Sequence, residues 1–258
     1  MKRTRWDLDR RANLRCRSES VLIGAMPWDF WLIFLVLAIL VPWRGRVRLH
    51  RLLSQPAFST KEKLVLYGTT IGFQWILLGV VAWRALARGL SQSELGLGRG
   101  FDATIVIWSV IGALALGAFQ WFNLRRLGRM TGAVPELMRK LSERLMPQSP
   151  VESAPYAALA ITAGVCEEFV YRGFVMAALS RLGMATWIVL MFSSVLFGLA
   201  HAYQGRSGIV GTTLMGLVFG VARVLTLSLA PAIAWHAWVD LVAGVAAPRF
   251  LSSPRDDT

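Results

Sequence analysis

The chain is poor in the residues on which secreted domains and soluble hydrolases are usually built. Its two cysteines, Cys16 and Cys166, lie far apart among 258 residues, so no disulfide framework organises it. Histidine occurs three times, at His50, His201 and His236. The pattern H-E-x-x-H is absent, which excludes the usual soluble zinc-protease helix. Gly-x-Ser-x-Gly is absent too, and neither histidine in an apolar stretch has an evident serine partner. The N-terminal region lacks an A-x-A cleavage site and carries Asp7, Asp9 and Glu19, so the first apolar run is expected to stay in the mature protein. Internal repeats and low-complexity tracts are not evident.

Apolar length, by contrast, is abundant. Hydrophobic residues make up 55% of the chain, and the mean hydropathy is +0.51. Leu64–Trp83 and Ala103–Leu124 carry no charge at all, and a bilayer is crossed by about 20 apolar residues. Ser20–Trp43 holds only Asp29, Val224–Ala247 only His236 and Asp240, and Met184–Ala200 and Ser207–Ala222 are charge-free. With the segment around Glu167, this predicts an all-α, polytopic transmembrane bundle of roughly six to eight spans. Ala154–Ser180 reads as one long helix or a broken one.

Lys and Arg outnumber Asp and Glu by 28 to 15, a net charge of +13. Such basicity can mark a nucleic-acid binder, but no recognition motif accompanies it. The cations fall in the gaps between spans, Lys2–Arg17, Arg44–Lys63 and Arg125–Arg144, where they meet lipid head groups. The expected partners are therefore a bilayer and a protein or peptide substrate, without nucleic acid.

The organisation reads as a basic tail (1–19), three generic spans (20–124), an amphipathic surface helix and linker (125–153), a polar-cored membrane domain (154–247) and a polar tail (248–258). In the surface helix Leu137, Met138, Leu141 and Leu145 share one face, and Arg139, Lys140, Glu143 and Arg144 the other. Gly216-x-x-x-Gly220 permits close helix contact.

The chemistry sits in 154–247. A charge at mid-bilayer costs roughly 2.5–3.5 kcal/mol on insertion scales, and residues that bear it are functional by default. In "CEEFVYRGF" Glu168 and Arg172 are spaced i,i+4 and pair on one helix face. Glu167 is turned about 100° away and left free, as a general base requires. His201 closes "FGLAH", and His236 stands four residues before Asp240, on the same face. Glu167, His201 and His236 can ligate a divalent metal such as zinc. Alternatively Glu167 and His201 polarise water directly, with His236 and Asp240 holding a carbonyl. Both routes lead to hydrolysis. Cys166, beside two carboxylates, is a poor nucleophile. Two rivals remain: a non-catalytic immunity or scaffold protein that uses the cluster for packing, and a haem binder with His201 and His236 as axial ligands, in which the glutamates have no role.

Glu167-Glu168-x-x-x-Arg172, Phe197-x-x-x-His201 and His236-x-x-x-Asp240, in this order and each in an apolar segment, resemble the CPBP family of CAAX-processing and bacteriocin-processing intramembrane endopeptidases. The resemblance covers about residues 154–247. It implies a membrane-embedded endopeptidase of glutamic or metallo type, with Glu167 as water-activating base and His201 beside it. It further implies His236 and Asp240 as a second catalytic or oxyanion element, and Glu168 and Arg172 as support. A bacterial cytoplasmic (inner) membrane is the expected location.

Overall fold

The computed structural model describes residues 26–54 and 58–251. The basic tail with Cys16 and residues 252–258 lie outside the described residues. Eight helices follow one another, with no strand among the described residues. The first, α1, runs without a break through Trp28–Leu35, a π-helical stretch Val36–Leu40, and Val41–Ser54. Pro42 lacks the N–H that would bond back to Ala38, and the wider π turn lies where that bond is missing. Next comes α2, Thr60–Ala87, opened by a capping box. The Ser59 Oγ accepts from Glu62 N, and Glu62 Oε2 accepts from Ser59 N at 2.8 Å. Asp102 caps α3, Ala103–Leu127, by accepting from Ile105 N at 2.9 Å.

The short α4, Ala133–Leu145, is the expected surface helix. Leu141 on its apolar side is buried, while Arg139 and Lys140 pair with Glu136 on the outside. The long α5 is one helix in three parts: Pro150–Glu168, a π-helical stretch Phe169–Val175, and Met176–Arg181. Thr186–Ala200 forms α6, Gly205–Thr226 forms α7 and Ala230–Leu251 forms α8. The last two differ from the expected spans, whose boundary near residue 223 moves to Leu227–Leu229. Leu227 takes a left-handed φ of 55°, an unusual way for a non-glycine to end a helix. Ser228 Oγ then accepts from Ala230 N and starts α8. At the other end α8 continues through Pro248 to Leu251, past the expected start of the polar tail.

Five stretches are long and apolar enough to cross a membrane: Trp28–Arg51, Thr60–Ala87, Ala103–Leu127, Ala202–Thr226 and Ala230–Leu251. The apolar α6 is shorter, and α5 carries the buried charges. Trp31, Ile39, Ile76, Ile111, Leu114 and Val245 are all exposed on these helices. An apolar exterior of this kind is a lipid-facing one, and the protein is an integral membrane protein.

α5 lies between α2 and α8, α3 packs on α8, and α6 on α7. Gly164 of α5 has no room for a side chain: a Cβ there would meet Ala237 and the Ile233 carbonyl at 3.0 Å. That close approach brings the glutamates of α5 up to His236 on α8. Ion pairs tie the remaining elements. Buried Asp29 pairs with Arg84 and Arg88, and buried Lys63 with Glu152 at 3.2 Å. The loop 88–102 closes one end of the bundle. Arg181 holds Glu94 at 2.6 Å, Arg223 donates to the Glu94 carbonyl, and Leu229 N donates to the Gly96 carbonyl.

The Arg181 hydrogen bond, with further bonds from Ser91, holds the Glu94 carboxyl down to about 2, against an ordinary 4.5. A depressed carboxyl stabilises the folded state above its unfolded value, and that stability is lost as pH falls through the folded one. The wild-type chain is therefore expected to melt higher than Glu94→Gln at neutral pH. The gap should close between pH 4.5 and about 2. Parallel melting curves in detergent check this, and a gap unchanged by acid would refute it.

Candidate active site

Glu167 and Glu168 end the α-helical part of α5, immediately before its π-helical stretch. Their side chains diverge, as their angular separation demands. Glu168 and Arg172 are fully buried and paired, Arg172 Nη1 donating to Glu168 Oε1 at 2.8 Å. The guanidinium lies 4.3 Å from the Phe197 ring centroid and 5.5 Å from that of Phe219. Gly216 of α7 makes space for it, since a Cβ there would stand 2.8 Å from Arg172 Nη2. The Gly216–Gly220 stretch is thus a close packing surface against α6 and the arginine.

Glu168 has a second partner. His236 Nδ1 lies 2.8 Å from the same Oε1. The carboxylate can only accept, so Nδ1 carries the proton. On the other side of the ring, His236 Nε2 faces Asp240 Oδ2 at 3.6 Å. Phe219 stacks on the imidazole at 5.4 Å and 18°, and Phe197 meets its edge. Arg172, Glu168, His236 and Asp240 form one row of alternating charge types, and its first three members are buried.

Glu167 faces a different set. Gln74 of α2 donates from Nε2 to Glu167 Oε1 at 2.7 Å. The other oxygen, Oε2, is buried, accepts no hydrogen bond, and lies 3.9 Å from His201 Nε2. His201 follows the last residue of α6, and its Nδ1 lies 2.9 Å from the Phe197 carbonyl. A carbonyl only accepts, so Nδ1 is the donor and a neutral ring presents a lone pair at Nε2. Two acceptors, Glu167 Oε2 and His201 Nε2, are thereby aimed at one small space. Phe197 packs on both imidazoles, at 4.7 Å from His201 and 5.6 Å from His236.

The structure brings each expected site residue to one of these two groups. Gln74 is the site residue that its sequence does not announce, an uncharged polar side chain within an apolar span. Cys166 is buried, with no disulfide partner among the described residues. For a metal, Glu167 Oε2 and His201 Nε2 stand far enough apart for an ion bound at about 2 Å from each. His236 does not join them, because its two nitrogens face Glu168 and Asp240. Among the described residues no group of three His, Cys, Asp or Glu side chains is arranged to hold an ion, so the residues do not fit the expected three-ligand set.

Residues 150–242 match the family model described as "Type II CAAX prenyl endopeptidase Rce1-like". No curated protein and no solved structure matches the chain.

Proposed function

We propose that the chain, whose residues 150–242 match the family model of Rce1-like type II CAAX prenyl endopeptidases, hydrolyses a peptide bond within the membrane with water activated by Glu167 and His201. The observation that carries this reading is the unspent Oε2 of Glu167 opposite His201 Nε2. A water between them donates one O–H to each acceptor and turns a lone pair outward. As that oxygen attacks the scissile carbonyl carbon, Glu167 takes the proton. The carbonyl π electrons move to oxygen, and an N–H at His236 Nε2 can meet the oxyanion. Collapse of the tetrahedral intermediate breaks the C–N bond, and the proton held by Glu167 goes to the leaving amine. Such a donor requires the protonated ring, and Asp240 Oδ2 stands beside it, 3.6 Å from Nε2. No covalent enzyme intermediate forms and none of these steps requires a metal, so activity should survive chelation. The expected setting is a bacterial inner membrane.

The experiment is a comparison of protein termini in membranes that contain the wild-type chain or Glu167→Gln. New termini should appear only with the wild type. Identical termini in both samples would favour the packing-only reading instead.

Gln74 positions the base. Its amide fixes one carboxylate oxygen and so presents the other to the water. Gln74→Leu is nearly isosteric and removes the donor. It should lower kcat by roughly tenfold or more with KM unchanged, since the lost bond orients a catalytic group and touches no substrate. Unaltered kcat would remove Gln74 from the site.

A further inference from the structure

The second half of α1, Val41–Ser54, carries Arg44, Arg46, Arg48, His50 and Arg51 within 14 residues. Arg44, Arg48 and Arg51, spaced four and three apart, share one helical face. That face is applied to α2. The Arg44 guanidinium lies 4.1 Å from the Phe73 ring centroid. Arg48 donates to Thr70 Oγ1 at 2.9 Å and to Thr69 Oγ1 at 3.1 Å. Arg48 and Arg51, with Ser59, Lys61, Glu62 and Thr69, line a cleft of about 720 Å³. The row therefore descends α2 from the cleft to Phe73, the residue before Gln74, and Gln74 touches Glu167. On its other side α1 adjoins the second acceptor of the site: Gly45 lies against Tyr203 and the Ala200 carbonyl, on either side of His201 in sequence.

Depth makes the row informative. Lys63 and Arg84 are the charged residues nearest the middle of α2. The helix between them rises about 31 Å, close to the roughly 30 Å hydrocarbon thickness of a bilayer. Phe73 and Gln74 fall near the midpoint, and Thr69 and Thr70 a turn nearer one surface. Arginines at such depths face a watery cavity and mark a substrate or ion path. Among the described residues no ion pair joins Arg44, Arg48 or Arg51 to a carboxylate. Glu62, which reaches the cleft, is engaged by the Ser59 cap.

We propose that this row is the binding site for an acidic segment of the substrate peptide, which lies along α2 with its scissile bond at Glu167. From Glu62 to Gln74 the helix rises about 18 Å, the reach of about five or six residues of extended chain. A lipid head group would engage only the mouth of the cleft; the row continues past it to Phe73, the residue before the Gln74 that holds Glu167. The arginines also offset the repulsion between Glu167 and an acidic peptide. This inference rests on the protease reading and names the substrate class that the site selects.

The test is a binding measurement on the full chain bearing Glu167→Gln, in nanodiscs of phosphatidylcholine, with fluorescein-labelled hexaglutamate and hexaglutamine as probes. Hexaglutamate should bind about tenfold or more tightly, with a preference that shrinks as salt rises. Arg44→Gln/Arg48→Gln should abolish the preference, and Arg46→Gln, on another face, should leave it. If the double variant does not fold, the salt dependence and a hexalysine probe on the Glu167→Gln chain decide. Equal binding of the acidic and neutral peptides overturns the proposal. So does loss of the preference with Arg46→Gln. Retention of phosphatidylglycerol by the arginines, without a peptide preference, assigns the row to a head group and overturns it too. Peptide binding with no cleavage by the wild-type chain would keep the anion site and remove the protease reading. Cleavage without acidic preference would do the reverse.

Discussion

Glu167→Gln is expected to abolish proteolysis and leave the protein folded. The substitution keeps size and shape, and a glutamine carbonyl still accepts the Gln74 hydrogen bond. What it removes is the basic oxygen opposite His201. General-base catalysis contributes roughly 10²–10⁴-fold, and here the same carboxylate also places the water, so the loss should lie at or above the upper end. Melting temperature in detergent should be unchanged, because Oε2 accepts no hydrogen bond in the folded chain. Turnover of a reporter in proteoliposomes gives the other half of the measurement. Cys166→Ala serves as the companion variant. Its thiol is buried, at 2% exposure, and no described histidine contacts it, so activity should persist. A Glu167→Gln enzyme within tenfold of wild type, or a covalent adduct on Cys166, would sink the water-based mechanism.

The spans and the charged pair were legible in the sequence because both are local. An apolar run declares a membrane helix by length alone, and Glu168–Arg172 and His236–Asp240 declare a shared face by i,i+4 spacing. What escaped reading depends on contacts between distant segments. Gln74 and Glu167 are separated by 93 positions, and Glu168 and His236 by 68, and no periodicity joins them. Spacing therefore pairs Glu168 with Arg172 alone, whereas its oxygen also holds His236. By position in the sequence the arginines of α1 are a juxtamembrane cluster. Only the approach of α1 to α2 carries Arg44 over Phe73 and Arg48 to Thr69 and Thr70. The α7–α8 boundary escaped for a different reason. Leu227 adopts a left-handed turn without the glycine or asparagine that usually announces one, so two helices read with a misplaced join. The π-helical stretch after Glu168 has no signature in residue type; Phe169–Val175 would serve equally well in an α-helix.

Glu168→Gln should unfold the site before it tests the chemistry. Glu168 and Arg172 are 0% exposed, and Glu168 is the carboxylate that meets the guanidinium. Arg172 Nε and Nη2 make no hydrogen bond of their own, so no other acceptor compensates the charge once Glu168 is neutral. Breaking a buried pair by removing one partner destabilises by about 3–5 kcal/mol. For a chain of this size that corresponds to a melting temperature lower by roughly 10 °C or more. Stability and activity should fall together, and expression with them. Removing both partners separates the two effects. Glu168→Gln/Arg172→Met leaves no buried charge, and a methionine can occupy the slot between Phe197 and Phe219 where the arginine stem lay. Thermal stability should return to within a few degrees of wild type, since replacing a buried pair by apolar residues is often close to neutral. Activity should not return with it. The double variant still lacks the carboxylate that accepts from His236 Nδ1, and a ring no longer held there loses the orientation in which its protonated form presents Nε2–H toward the reacting carbonyl. A Glu168→Gln protein that melts with the wild type would show that the pair does not hold the fold. A double variant that recovers both stability and turnover would show that His236 is oriented by something other than Glu168.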